Sequence, residues 1–303
     1  MEKILAADVV RDAASLRTRF DKARPFRHLV VENFLAQEFA QRLLDEFPAF
    51  ERGNSVGDDG QPGGKSTVER LAGLGLGYRE LDAAIQSREF LDFVGAITGI
   101  DDLLYDPFYL GGGTHENRAG QLLQAHIDFN YHPSERWHRR LNLIVYLNRD
   151  WNEAWGGNLE LWRDPYQDAA PAVRIAPVFN RCVIFETTEH SWHGFDAIAL
   201  PPEQAQRSRK SVALYFYTKR RPGDETAGKH STHYVNRQLA ERYAPGYTLS
   251  AADVVELRSL IAHRDNRLQQ LFAENANLLQ AQERGLSGKF LYLLKRLYVR
   301  YRR

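Results

Sequence analysis

Apolar and polar residues follow two different rhythms along this chain, and the change of rhythm divides it into zones. The run His28-Leu29-Val30-Val31 leads through Glu32-Asn33 into Leu35, Phe39, Leu43, Leu44 and Phe47 at helical spacing, which predicts strand, turn and helix. Phe90, Leu91, Val94 and Ile97 share one helical face and the pattern stops at Gly99, as a helix commonly does. Between these zones, residues 51–66 (ERGNSVGDDGQPGGKS) hold five glycines and almost no large apolar group. That composition predicts a loop, and a loop of this length suits a closing element over a site.

From about Leu104 to Thr218 the period shortens to two, in the runs YDPFYLGGG, GQLLQAHIDFN, RRLNLIVYLNRD, GGNLELWRD, RCVIFETT and KSVALYFYT. Short strands at regular spacing predict a mainly β fold with flanking helices, a barrel or a double-sheet jelly roll. Trp155-Gly156-Gly157-Asn158 is expected to be a tight turn between two strands. The triple glycine 111–113 lacks the Gly-Lys-Ser/Thr ending of a phosphate loop and is expected to be a turn or bulge. After Arg221-Pro222-Gly223 a polar stretch runs to about Ser250, and Val254, Leu257, Ile261, Leu268, Leu271 and Leu278 then follow a three-four spacing. Arg264 and Asn275 interrupt it, which gives an amphipathic helix of weak coiled-coil character. The expected organisation is therefore a domain over 1–222 and a helical C-terminal extension over 223–303.

Size and charge narrow the function. A chain of 303 residues has room for one large domain and an appendage. Forty Lys and Arg against 39 Asp and Glu leave no global field to attract nucleic acid or a membrane, so no nucleic-acid partner is expected. A single cysteine, Cys182, excludes an intramolecular disulfide framework and a thiolate metal cluster. The first twenty residues carry too many charges for a signal peptide, and no 18-residue apolar stretch occurs, so the expected address is cytoplasmic.

The candidate chemistry lies in the β-rich zone. In an extended strand, residues two apart point to the same side, so His126 and Asp128 in QAHIDFN can hold one ion while Ile127 faces away. His193 in SWHGF offers a second imidazole. Two imidazoles and one carboxylate are the set that leaves open positions on non-haem Fe(II), although His-x-Asp alone is a weak signal. His132, His138 and His190 compete for the imidazole role and are expected to be exposed or supporting histidines. Alternation along the last strand puts Arg209, Ser211, Ala213, Tyr215 and Tyr217 on one face. A guanidinium turned into a barrel needs an anion, and a carboxylate matches its fork.

In combination and order, His126-x-Asp128, LNLIVYLN, Gly156-Gly157 before LELW, SWHGF and Arg209-Lys210-Ser211 before ALYFYT resemble the prolyl-4-hydroxylase-like branch of the Fe(II)/2-oxoglutarate dioxygenases. The likeness covers roughly residues 26–222 and implies a double-stranded β-helix core. It implies iron on His126, Asp128 and His193, with Arg209 pairing the far carboxylate of 2-oxoglutarate and Ser211 supporting it. It further implies hydroxylation of a C–H bond with release of succinate and CO2, with ascorbate as an accessory reductant. The stretch between His193 and Arg209 is longer than usual for the family and contains Pro201 and Pro202, which leaves Arg207 and Lys210 as alternative carboxylate partners. Trp137, Trp155, Trp162 and Tyr131 are candidate pocket or rim aromatics.

The substrate stays open: a glycan, a glycolipid such as a lipid A sugar, or another small molecule, with a peptidyl proline as the alternative. A zinc hydrolase would leave Arg209 without a task, and a non-catalytic binding or assembly module would not need the complete residue set. The end of the chain, KFLYLLKRLYVRYRR over 289–303, has six basic residues and no acidic one. Such a helix suits peripheral contact with an anionic inner-membrane surface, or docking on the core or on a second copy in a homo-oligomer.

Overall fold

The computed structural model describes residues 1, 3–56, 62–235, 239, 242–251, 253–254, 257–258, 260–262, 264–265, 268–269, 271–272 and 275–276. The basic segment 289–303 lies outside the described residues. By compactness the chain divides into two units, Met1–Val235 and Asn236–Arg303. In the second, every described residue from 253 to 276 is helical. No helix among the described residues is long and apolar enough to cross a membrane.

In the first unit, helices α1 (Ala7–Arg11) and α2 (Ala13–Lys22) precede β1 (His28–Val31) and α3 (Gln37–Asp45). Strands β2 (Asn54–Val56) and β3 (Pro62–Val68) are followed by α4 (Leu76–Gln86) and α5 (Arg88–Thr98). The remaining strands are β4 (Leu104–Tyr105), β5 (Gly113–Asn117), β6 (Leu123–Ile127), β7 (His138–Tyr146), β8 (Leu159–Trp162), β9 (Val173–Ile175), β10 (Cys182–Glu186), β11 (Trp192–Phe195), β12 (Arg209–Thr218) and β13 (His233–Tyr234). They form a larger sheet in the order β1-β10-β7-β12-β5-β3-β2, with β4 beside β12, and a smaller sheet in the order β13-β6-β11-β8-β9. All pairings are antiparallel, as a double-stranded β-helix requires.

Period-two patterning explains why the larger sheet has two unlike faces. Leu141, Leu143 and Val145 of β7 and Val212, Leu214 and Phe216 of β12 are buried in one cluster with Leu16 and Phe20 of α2 and Phe90, Val94 and Ile97 of α5. The intervening residues Asn142, Ile144, Ser211, Ala213 and Tyr215 turn the other way and line a cavity. The helices thus cover one face of the sheet and leave the other for chemistry. At one point the alternation breaks. Phe216 pairs with Leu141 but Tyr217 pairs with Arg139, so Arg140 is the extra residue of a β-bulge.

The Ser87 hydroxyl caps α5 by accepting from the Phe90 amide, and Gly99 ends it in the left-handed conformation, as the pattern predicted. Three helices escaped that pattern: α1, α2 and α4. The glycine-rich segment differs more. Asn54–Val56 and Pro62–Val68 pair with each other, and β3 docks on β5 from Lys65↔Asn117 to Val68↔Thr114. A strand at a sheet edge is held by backbone hydrogen bonds and needs few large side chains, so poverty in apolar residues did not make this segment a loop. Residues 57–61 lie outside the described residues.

Candidate metal centre

His126 on β6 and His193 on β11 are direct cross-strand partners, and their ring centroids lie 4.3 Å apart. Residues directly opposite on an antiparallel pair point to the same face, so strand register alone brings the two imidazoles together. Asp128, one residue past the end of β6, keeps the same side. Its carboxylate approaches His126 Nε2 at 3.7 Å through Oδ1 and His193 Nε2 at 3.5 Å through Oδ2. One candidate ligand atom from each residue lies within 4.8 Å of the others, so the three can hold one metal ion. Of the three residues proposed from sequence, all converge.

Both imidazoles are turned by the backbone. His126 Nδ1–H donates to the Gln124 carbonyl and His193 Nδ1–H to the Ser191 carbonyl, each at 2.8 Å. With that tautomer, the Nε2 lone pairs face Asp128 and are free for a metal. Burial, with the neighbouring His126 adding to it, pushes the His193 imidazole down to about 3, so it stays neutral and ready to ligate across the ordinary pH range. Burial raises the Asp128 carboxyl, but Arg139, His193, His126 and a hydrogen bond from Asn142 together outweigh it and hold the group ionised. Tyr234 of β13 stacks on His126 at 5.0 Å, which brings residues 233–234 to the cavity although the sequence divided the chain at 222.

The cavity, of about 220 Å³, runs from these three groups to Arg209 and Ser211 of β12. Arg209 is 4 % exposed. Its Nε–H donates to the Gly157 carbonyl at 2.7 Å and its Nη2 to the Tyr146 hydroxyl at 3.3 Å, and the guanidinium lies over the Phe195 ring at 4.3 Å. Among the described residues no carboxylate pairs with it, and burial lowers its affinity for the proton. A buried cation whose partners are all neutral is a site for an anion. The Gly156-Gly157 turn explains its own composition: both residues have φ of +69°, and a Cβ on Gly157 would come within 2.9 Å of Arg209 Cδ.

The rival residues have other tasks. Lys210, on the opposite face of β12, pairs with Glu116 at 3.1 Å, and Arg207 donates to the Arg149 carbonyl at 2.8 Å; neither lines the cavity. His132 is buried with Nε2 3.3 Å from Asp106, His138 stacks on Tyr131, and His190 is exposed. The aromatics of the cavity wall are Phe129, Phe195, Tyr215 and Tyr234, in place of the expected Trp137, Trp155, Trp162 and Tyr131. Tyr131, Trp137 and Trp155 lie in connections, where no period tells which way a side chain faces. Missed as well were Arg139, Asn142 and Tyr146; strand alternation puts Asn142 and Tyr146 on one face and could have suggested them, but the bulge that turns Arg139 inward has no sequence signature.

Residues 112–217 match the model of the 2OG-Fe(II) oxygenase superfamily. A search of the curated proteins returned no sequence match. Among solved structures, the chain is similar to a prolyl hydroxylase from Trichoplax adhaerens in complex with a hypoxia inducible factor oxygen degradation domain peptide. The two share 15% identity and a TM-score of 0.50, over 70% of this chain and 91% of that one. A Pseudomonas putida prolyl-4-hydroxylase matches at 15% identity and a TM-score of 0.43, over 67% of this chain and 93% of that one. HygX from Streptomyces hygroscopicus, with nickel, 2-oxoglutarate and hygromycin B bound, matches at 12% identity and a TM-score of 0.45, over 74% and 96%.

Proposed function

We propose that this chain, whose residues 112–217 match the model of the 2OG-Fe(II) oxygenase superfamily, is a hydroxylase in which His126, Asp128 and His193 hold Fe(II) and Arg209 holds 2-oxoglutarate. The observation that carries the reading is the pairing, in one cavity, of a His-Asp-His cluster with a buried guanidinium that has no carboxylate partner among the described residues. The donor set suits iron: two imidazoles and one carboxylate, with the rest of the ion left to other ligands. A zinc hydrolase would have no use for the cation.

When bound, iron and 2-oxoglutarate would supply the oxidising chemistry with O2, one oxygen atom of which would enter succinate as CO2 leaves and the other a substrate C–H bond. The chain's own residues bind and orient. Arg209 and the neighbouring Tyr146 hydroxyl receive the far carboxylate, Ser211 sits beside them on the same face of β12, and Phe195 shields the pair from water. The Nδ1–H bonds of His126 and His193 to the backbone keep both Nε2 atoms aimed at one point.

We assign the substrate to the glycans, glycolipids or other small polar molecules, because the cavity wall mixes the aromatic Phe129, Tyr215 and Tyr234 with the polar His115, Asn117 and Thr232. Succinate formation from 2-oxoglutarate and Fe(II) without added substrate tests the reaction class; activity that survives Asp128→Ala sinks it. A mass gain of one oxygen on a saccharide acceptor, and none on a prolyl peptide, is the outcome expected for the substrate class.

A further inference from the structure

We infer that Asn142 and Arg139 are positioning residues that lock Asp128 as a one-oxygen ligand; the inference rests on the assignment of Asp128 to the metal. The three side chains form a closed triangle. Arg139 donates through Nε at 3.1 Å and Nη2 at 2.8 Å to Asn142 Oδ1. Asn142 Nδ2 donates to Asp128 Oδ2 at 2.7 Å, and Arg139 Nη2 lies 3.0 Å from the same oxygen.

The amide orientation follows from chemistry. Turned over, Asn142 would set its NH2 against the guanidinium N–H groups and its oxygen against a carboxylate, and both contacts would repel. One amide therefore joins a donor to an acceptor in only one sense. Arg139 cannot swing away, because it is 1 % exposed and its guanidinium lies between the Tyr215 ring at 3.7 Å and the Phe129 ring at 4.5 Å. The bulge at Arg140 is what makes the triangle possible: strict alternation would turn Arg140, and not Arg139, to the side of Asn142.

The two oxygens of Asp128 are thus unequal. Oδ2 accepts from Asn142 and lies 3.0 Å from the Arg139 guanidinium, whereas Oδ1 accepts no hydrogen bond among the described residues. A carboxylate with one oxygen already engaged offers a metal the other alone. That matters for an oxygenase, since a second carboxylate oxygen on the ion would occupy a position needed for the cosubstrate or O2. Without Asn142, Oδ2 would keep the Arg139 ion pair but lose its hydrogen bond, and would be held less firmly away from the ion.

The test uses the full-length apo-protein and Mn(II) as the probe, with binding followed by electron paramagnetic resonance and bound water counted by water-proton relaxation. Wild type is first set against Asp128→Ala; equal binding by the two would overturn the metal assignment itself. With that assignment standing, Asn142→Leu and the isosteric Asn142→Asp are expected to bind Mn(II) about 10- to 100-fold more weakly, the usual cost of removing a hydrogen-bond partner from a metal ligand. Their Mn(II) complexes should also show lower relaxivity, because the second carboxylate oxygen displaces a water. Wild-type affinity overturns the inference, and so does weakened binding with unchanged relaxivity, which would make the contact merely structural. If Asn142→Leu does not fold, Asn142→Asp, which keeps the side-chain shape, decides alone.

Discussion

At one end of the cavity the carboxylate of Asp128 accepts from Asn142, pairs with Arg139 and stands beside two imidazoles. At the other end the guanidinium of Arg209 is buried, yet its partners are a backbone carbonyl, a phenol and an aromatic face. The first end is built to keep a charge fixed. The second leaves a charge uncompensated, and a buried ion persists in that state when a ligand completes it. On the proposed function, the difference separates a resident metal site from a site that fills and empties in each turnover.

Substitutions at the two ends should therefore fail in different ways. The largest effect is expected from Asp128→Ala, which removes the anion that joins the two histidines; Fe(II) binding and succinate formation should both vanish. Retained iron in that variant, measured by metal analysis after gel filtration, would break the comparison at its first end. Arg209→Ala should leave iron binding intact and raise the KM for 2-oxoglutarate by about 100-fold, within the range of a few kcal/mol for a buried hydrogen-bonded charge pair. Arg209→Lys should recover little of it, since an ammonium cannot reproduce the planar fork. A KM within twofold of wild type would show that the cation serves something else.

Smaller changes sharpen the picture at the Arg209 end. Gly157→Ala places a methyl group against Arg209 Cδ at a residue with φ of +69°, and strain of about 1–2 kcal/mol for the left-handed conformation predicts a roughly tenfold rise in the same KM. Normal iron affinity should accompany it. Tyr146→Phe removes one hydrogen bond to Arg209, worth about 1 kcal/mol, and should cost about fivefold in 2-oxoglutarate affinity by calorimetry. An equal loss of iron affinity in either variant would mean that the two ends are one coupled unit.

Much of this site was legible beforehand, and the reason is periodicity. A side chain's face along a strand follows from counting by two, so His126 with Asp128, and Arg209 with Ser211, could be paired from sequence alone. What counting cannot supply is which strands are neighbours. The direct opposition of His126 and His193 depends on a pairing between segments 67 residues apart in the chain, and the order β6-β11 is a property of the whole sheet. The inner aromatics failed for a related reason: Trp137 and Trp155 lie in connections, where no period fixes direction. The strand at residues 62–68 failed because edge pairing depends on a partner's backbone and not on the segment's own side chains.

The amino-acid sequence by itself determined the β-rich core, the glycine turn beneath Arg209 and the identity of the groups that face inward, because these follow from local alternation and from the backbone freedom of glycine. The tertiary structure decided that Arg139 reaches Asp128 and that Tyr234 stacks on His126. Both depend on a slipped register or a returning strand, and such events are settled by the packing of distant segments against each other, not by any preference of the residues themselves.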